Sequence, residues 1–272
     1  MNEKEVISKS NKPQTIKTLT RDLKNIGIKE GMVLLVHSSM SSIRWVSGGA
    51  VAVILALEKA LGESGTLVMP AFSGDLSDPY KWENPPVPEN WCDTIIETMP
   101  AFDLDLTPTR GVGTIPEVFR KQRGVQRSNH PQVSFTARGK YAEYITGDHS
   151  LEHAFGEKSP LAKIYELGGY VILIGVGYYN CTSLHLAEYR ADYPSKEEEV
   201  SGAPLIVKGK RKWVNLKDVK PVTDDFEKLG SGFMKNKEDD IRNGYIGQAK
   251  SQLFCQKDLV DFAVDWMEKN RK

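Results

Sequence analysis

Apolar residues recur at two different periods along this chain, and the alternation between them sketches the fold. Between Thr15 and Gly27, the residues Ile16, Leu19, Leu23 and Ile26 return every three or four positions, the spacing of one helix face. Thr15 offers an N-cap and Gly27 a stop. Residues 32–36, MVLLV, form a continuous apolar run of the kind found in a strand covered on both faces. The run empties into the hydroxyl-rich stretch His37-Ser38-Ser39-Met40-Ser41-Ser42 and then Gly48-Gly49-Ala50. A helical segment, AVAVILALEKALG, leads to a second apolar strand, TLVMP, at residues 66–70. Strand, loop, helix, strand predicts a βαβ unit with a right-handed crossover.

Residues 71–110 break this rhythm. Pro79, Pro85, Pro86, Pro88, Pro100 and Pro108 forbid a long regular element, while Trp82 and Trp91 argue against free disorder. We read an ordered insertion that serves as a lid or wall. Regular patterning resumes at residues 115–120, with Pro116 in a helical first turn. Strands are predicted at 133–137 and 170–176. A short helix at 182–190 has Thr182 or Ser183 as its cap, and a hairpin is predicted around 203–208 and 211–215. An amphipathic helix at 258–269 turns Leu259, Phe262, Ala263 and Trp266 inward. The prediction is one α/β domain over residues 1–272, with a mixed sheet and helices on both faces. It carries a loose arm at 1–14 and the Pro/Trp-rich insertion at 71–110.

Composition narrows the class. The chain has 272 residues, 40% hydrophobic and 26% charged, with Lys+Arg and Asp+Glu balanced at 36 each. No overall basic field exists to hold nucleic acid or an anionic membrane. The start is polar, without the apolar run expected of a secretory signal, and no apolar run is long enough to span a bilayer. The three cysteines, Cys92, Cys181 and Cys255, fit reduced thiols in a cytoplasm better than disulfides or a zinc site, and no metal is expected. Oligomeric state stays open, a homodimer included.

Four segments can carry chemistry. Residues 36–50 put hydroxyls and backbone N–H groups where α/β sheets bind ligands, which suits a phosphate or an amide, though a ligand-free Ser-rich turn has the same pattern. The turn Thr109-Arg110-Gly111-Val112-Gly113-Thr114-Ile115-Pro116 lets backbone approach a ligand, with Arg110 for a phosphate, or simply starts a helix. It approaches the acetyl-CoA loop of GNAT acetyltransferases, but Ile115 stands where that loop needs a small residue, so a GNAT fold is not predicted. In Arg127-Ser128-Asn129-His130-Pro131, Arg127 can serve a phosphate, while His130 more readily satisfies loop hydrogen bonds. In the 182–190 helix, His185 and Glu188 share a face one turn apart, as a general base and its partner or as a structural pair. Cys181 lies four residues before His185, which leaves a covalent acetyl-enzyme as a lesser alternative.

Six stretches in order resemble the aminoglycoside 3-N-acetyltransferases. They are LLVHSSMSSIRWVSGGA from Leu34, TRGVGTIPEVFR from Thr109, RSNHPQVSF from Arg127, GEKSPLAKI from Gly156, TSLHLAEYR from Thr182 and GQAKSQLF from Gly247. The resemblance implies that family's own α/β fold, acetyl-CoA as donor, and the 3-amino group of a 2-deoxystreptamine aminoglycoside as acceptor. It places the donor against three regions: His37, Ser38, Ser39, Ser41 and Arg44; then Thr109, Arg110, Gly111, Gly113, Thr114 and Ile115; then Arg127, Ser128, Ser134 and Phe135. It makes His185 the base, with Glu188 beside it; the mechanism we expect is direct transfer within a ternary complex. Thr182 or backbone N–H groups hold the oxyanion. Glu157 is implied as a second acidic group, and Asp75 is a further candidate to attract a cationic acceptor. Arg44 departs from the family, standing where many members carry glycine. A non-catalytic CoA- or nucleotide-binding sensor, or a transferase for a non-antibiotic amine, remains the alternative.

Overall fold

Alternate residues of three parallel strands feed two separate hydrophobic cores. The computed structural model describes residues 3–272. Its strands are β1 (Val33–Ser38), β2 (Thr66–Pro70), β3 (Gln126–Arg127), β4 (Phe135–Gly139), β5 (Tyr170–Ile174), β6 (Glu198–Val207), β7 (Lys210–Val219), β8 (Arg242–Ile246) and β9 (Ala249–Cys255). Seven of them form one sheet in the order β3-β4-β2-β1-β5-β9-β8. The pairs β1–β2 and β1–β5 are parallel, and the flanking pairs are antiparallel.

One core gathers Leu34, Val36, Leu67, Met69, Ile172 and Ile174 under the helices Ile16–Asn25, Gly49–Leu61 and Thr114–Arg120. The other gathers Val33, Leu35, Val68, Val171 and Leu173 under Pro160–Glu166, Ser183–Arg190, Phe226–Asn236 and Gln256–Asn270. Each fully buried aliphatic side chain contributes about 1.5–3 kcal/mol. That two-sided burial is why β1 and β5 read as unbroken apolar runs.

Local signals hold where side chains act on their own backbone. Thr15 caps Ile16–Asn25 in a reciprocal box with Thr18. The β6–β7 hairpin turns through Lys208 and Gly209, both at positive φ (51° and 75°), and its strands run further away from the turn than the patterned segments.

Other expectations are corrected. Residues 1–14 are not a loose arm over their described part. Glu3–Ser8 is a helix, and the chain after it is tied down by bonds from Asn11 N to Gln248 Oε1 (2.8 Å) and from Gln14 N to Trp45 O (3.0 Å). The strand expected at 133–137 starts at Phe135, because the Val133 N–H donates to His130 Nδ1 at 3.0 Å instead of entering the ladder. The insertion holds a proline-free helix, Cys92–Thr98, and leans on β6–β7, with Phe102 N donating to Pro204 O at 2.9 Å. The helix Phe226–Asn236 and the β8–β9 hairpin give little advance sign in the pattern. No helix among the described residues is long and apolar enough to cross a membrane.

Candidate active site

The chain leaves β1 and crosses to β2 on one side, while β5 pairs on the other, so the loops diverge beyond the carboxyl end of β1. A cavity of about 940 Å³ opens there. His37–Ser39 leave β1 into it, Pro70 ends β2 and Phe72 follows, Val176 follows β5, and the 110–114 turn closes the far wall. Gly175 makes this possible. Its φ of 66° turns the chain out of β5, and a Cβ there would overlap the Ser42 side chain.

His185 lines this cavity from the first turns of Ser183–Arg190. Its Nδ1 lies 2.6 Å from Glu188 Oε2. Glu188 is wholly buried, and its Oε1 accepts from Val222 N (2.9 Å) and Arg271 Nη1 (2.8 Å). A carboxylate that accepts from a guanidinium and a peptide N–H takes the imidazole as a donor too, which leaves Nε2 with a lone pair. Phe155 stacks on the ring at 4.7 Å and 11°, and Phe226 tilts against it at 5.1 Å. Thr182 occupies the N-cap position but makes no cap bond; its Oγ1 lies 3.3 Å from His37 Nε2 inside the site.

Of the three regions expected to hold the donor, parts of the first two converge and the third lies apart. His37, Ser38, Ser39, Ser41, Arg44, Arg110, Gly111, Gly113 and Thr114 line the cavity with His185. The others lie outside its lining and carry structure instead. Thr109 binds Glu117, and Ile115 and Phe135 are core. Ser128 Oγ bridges His149 Nδ1 (2.9 Å) and Phe135 N (2.8 Å). Arg127 donates to Ala71 O (2.9 Å), Thr107 O (2.6 Å), Ser73 Oγ and Ser134 Oγ, while Ser134 donates to Ala71 O. Burial lowers the Arg127 guanidinium to about 10. Asp75 pairs with Arg110 at 3.0 Å, and Glu157 is taken by Arg190 at 2.7 Å, outside the cavity lining.

Burial also decides which groups stay neutral. It holds His37 down to about 3, reinforced by the like charge of His185. It holds His130 at about 3, with His149 adding to the effect, and His149 at about 4 against the pull of the Ala154 carbonyl. The Cys181 thiol is pushed up to about 12 by burial and lies outside the cavity lining, which disfavours a covalent acetyl-enzyme. The sequence pattern carried no sign of Arg271, Phe155 or Phe226. Each reaches His185 or Glu188 from a distant part of the chain.

Arg44 sits at φ 78°, ψ −156°, a conformation nearly confined to glycine and worth about 1–3 kcal/mol of strain in other residues. Arg44→Gly is expected to gain about 1 kcal/mol net, after glycine's extra unfolded-state entropy. A denaturant melt measures it; no rise in midpoint would mean that the guanidinium's contacts already offset the strain.

Comparison with known proteins follows the same lines. The aminoglycoside 3-N-acetyltransferase family model matches residues 35–268. The SPbeta prophage-derived aminoglycoside N(3')-acetyltransferase-like protein YokD of Bacillus subtilis (strain 168) is 46% identical over 98% of this chain and 97% of its own. Its crystal structure superposes with a TM-score of 0.95, covering 98% of each chain. Aminoglycoside N(3)-acetyltransferase VII of Streptomyces paromomycinus is 34% identical over 98% of this chain and 96% of its own. AAC-IIIb, solved as a binary complex with CoASH, is 30% identical with a TM-score of 0.84, covering 96% of this chain and 98% of that one. A full-length match in sequence and in fold leaves one assignment: this chain belongs to the aminoglycoside 3-N-acetyltransferase family, a family of acyltransferases.

Proposed function

We propose that this protein transfers the acetyl group of acetyl-CoA to an amine, the 3-amino group of a 2-deoxystreptamine aminoglycoside, with the cytoplasm as its compartment. The observation that carries the reading is His185, held at 2.6 Å by the buried Glu188, on the wall of a cavity beyond the ends of three parallel strands. CoASH bound to AAC-IIIb supports the choice of donor. The lining fits a donor of this kind: Ser38 Oγ is buried with no partner in the protein, and Arg44 and Arg110 bring cations for phosphates.

Acetyl-CoA supplies an acyl group activated as a thioester. His185 Nε2 takes the proton from the attacking amine nitrogen as the C–N bond forms. Glu188 stabilises the imidazolium, and Thr182 Oγ1 or a backbone N–H faces the oxyanion. When the C–S bond breaks, His185 returns its proton to the departing thiolate. The products are CoASH and the N-acetylated amine. All steps occur in one ternary complex.

One feature favours a less highly charged acceptor. Among the described residues lining the cavity, Glu3 is the only carboxylate, against Arg44 and Arg110. A panel of aminoglycosides and simpler amines, incubated with acetyl-CoA, separates the readings through thiol release and a one-acetyl mass gain. Acetylation at the 3-amino group of an aminoglycoside is expected. Turnover confined to other amines would transfer the activity to a non-antibiotic substrate. CoASH binding without any acetylated product would leave a sensor.

A further inference from the structure

Arg271 follows the helix Gln256–Asn270, far in sequence from the site, yet it is almost completely buried against it. Its Nη1 donates to Glu188 Oε1 at 2.8 Å. Its Nε and Nη2 grip Asp225 Oδ2 and Oδ1 at 2.9 and 2.7 Å, and Nη2 also reaches Val222 O at 2.7 Å. The Val222 N–H in turn donates to Glu188 at 2.9 Å. One guanidinium therefore ties together the carboxylate behind His185, the loop that carries Val222, and the start of Phe226–Asn236, whose first residue packs on the His185 ring.

We infer that Arg271 is a positioning residue: acting through Glu188, it fixes His185 with its proton on Nδ1 and its Nε2 lone pair available to the cavity. The inference rests on His185 being the base proposed above. Arg271 is the cation that faces two carboxylates. The other titratable groups around the pair are His37, which burial keeps neutral, and Tyr193, whose hydroxyl lies 3.2 Å from Arg271 Nη1. Without the guanidinium, burial and the neighbouring Asp225 charge both favour a protonated carboxyl. A protonated Glu188 donates to Nδ1 instead of accepting from it. The imidazole proton then sits on Nε2, and the cavity faces a donor where the reaction needs a base.

The test uses Arg271→Met in the full chain, with Arg271→Gln in its place should the first not fold. The expected loss in kcat is roughly 10–100-fold, with KM for acetyl-CoA little changed. The acidic limb of the pH–kcat profile is expected to move to higher pH, since a buried carboxyl that loses its facing cation holds a proton more tightly. Arg271→Lys, which keeps the charge but not the fork, should restore most of the limb's position. The ¹⁵N shifts of the His185 ring read the tautomer without any acceptor: Nδ1–H in the wild type, Nε2–H in the neutral variants. A folded neutral variant that keeps Nδ1–H and an unmoved limb overturns the role of Arg271, even if acetyl transfer is confirmed. If no amine is ever acetylated, the ring spectra still decide the positioning role.

Discussion

Replacing His185 with alanine is expected to lower kcat about 10²–10⁴-fold, the range over which a positioned general base acts. The substitution leaves the His37–Arg44 loop and the 110–114 turn, the walls proposed for the donor, in place, so binding of CoASH should survive. The fold should survive as well. Glu188 loses one of its three donors but keeps Arg271 and Val222, so no buried charge is left alone. Glu188→Gln offers a finer version. The amide can donate to Nδ1, which would place the ring proton on Nε2, and a loss of similar order is expected although the imidazole is still present. Single-turnover thiol release, with circular dichroism as the folding control, measures both. Wild-type kcat in a folded His185→Ala protein would remove the base assignment.

The His185–Glu188 pair was legible because both partners sit one turn apart on one helix, and helical spacing is a local property. The capping of Ile16–Asn25 and the apolar runs of β1 and β5 were legible for the same reason. The grip on Glu188 was not: Arg271 lies in a Lys/Arg-bearing stretch, EKNRK, that reads as an exposed helix end. Its burial depends on how Gln256–Asn270 packs beside Ser183–Arg190. The segment from Arg127 to Phe135 misled in the opposite direction. Polar residues beside a strand suggested a phosphate site. The insertion's irregular backbone leaves carbonyls that no ladder satisfies, and the donors of Arg127 meet those of Ala71, Leu104 and Thr107. A lone arginine in sequence does not reveal whether its partners are phosphates or peptide oxygens.

Acidification below about pH 6.5 is expected to destabilise this protein steeply. Three of its five histidines, His37, His130 and His149, are buried and held at about 3, 3 and 4. An unfolded histidine takes up a proton near pH 6.5, whereas the folded protein refuses it until these much lower values. The unfolded state thus binds more protons throughout this window, and stability falls as pH drops below about 6.5. Each group contributes about 1.4 kcal/mol per pH unit, so one unit below 6.5 costs about 4 kcal/mol for the three together. Against a typical total of about 5–15 kcal/mol, that loss brings the transition within reach near pH 5. Denaturant melts between pH 7 and 5 measure the slope, and a flat profile would contradict it. His149→Gln should flatten the slope by about a third if its amide can replace the bonds to Ser128 and Ala154. The same neutrality serves the chemistry. His37 lies beside His185, and a charged His37 would oppose the imidazolium that forms when the amine gives up its proton. Burial that makes the fold acid-labile thereby keeps that opposing charge out of the site.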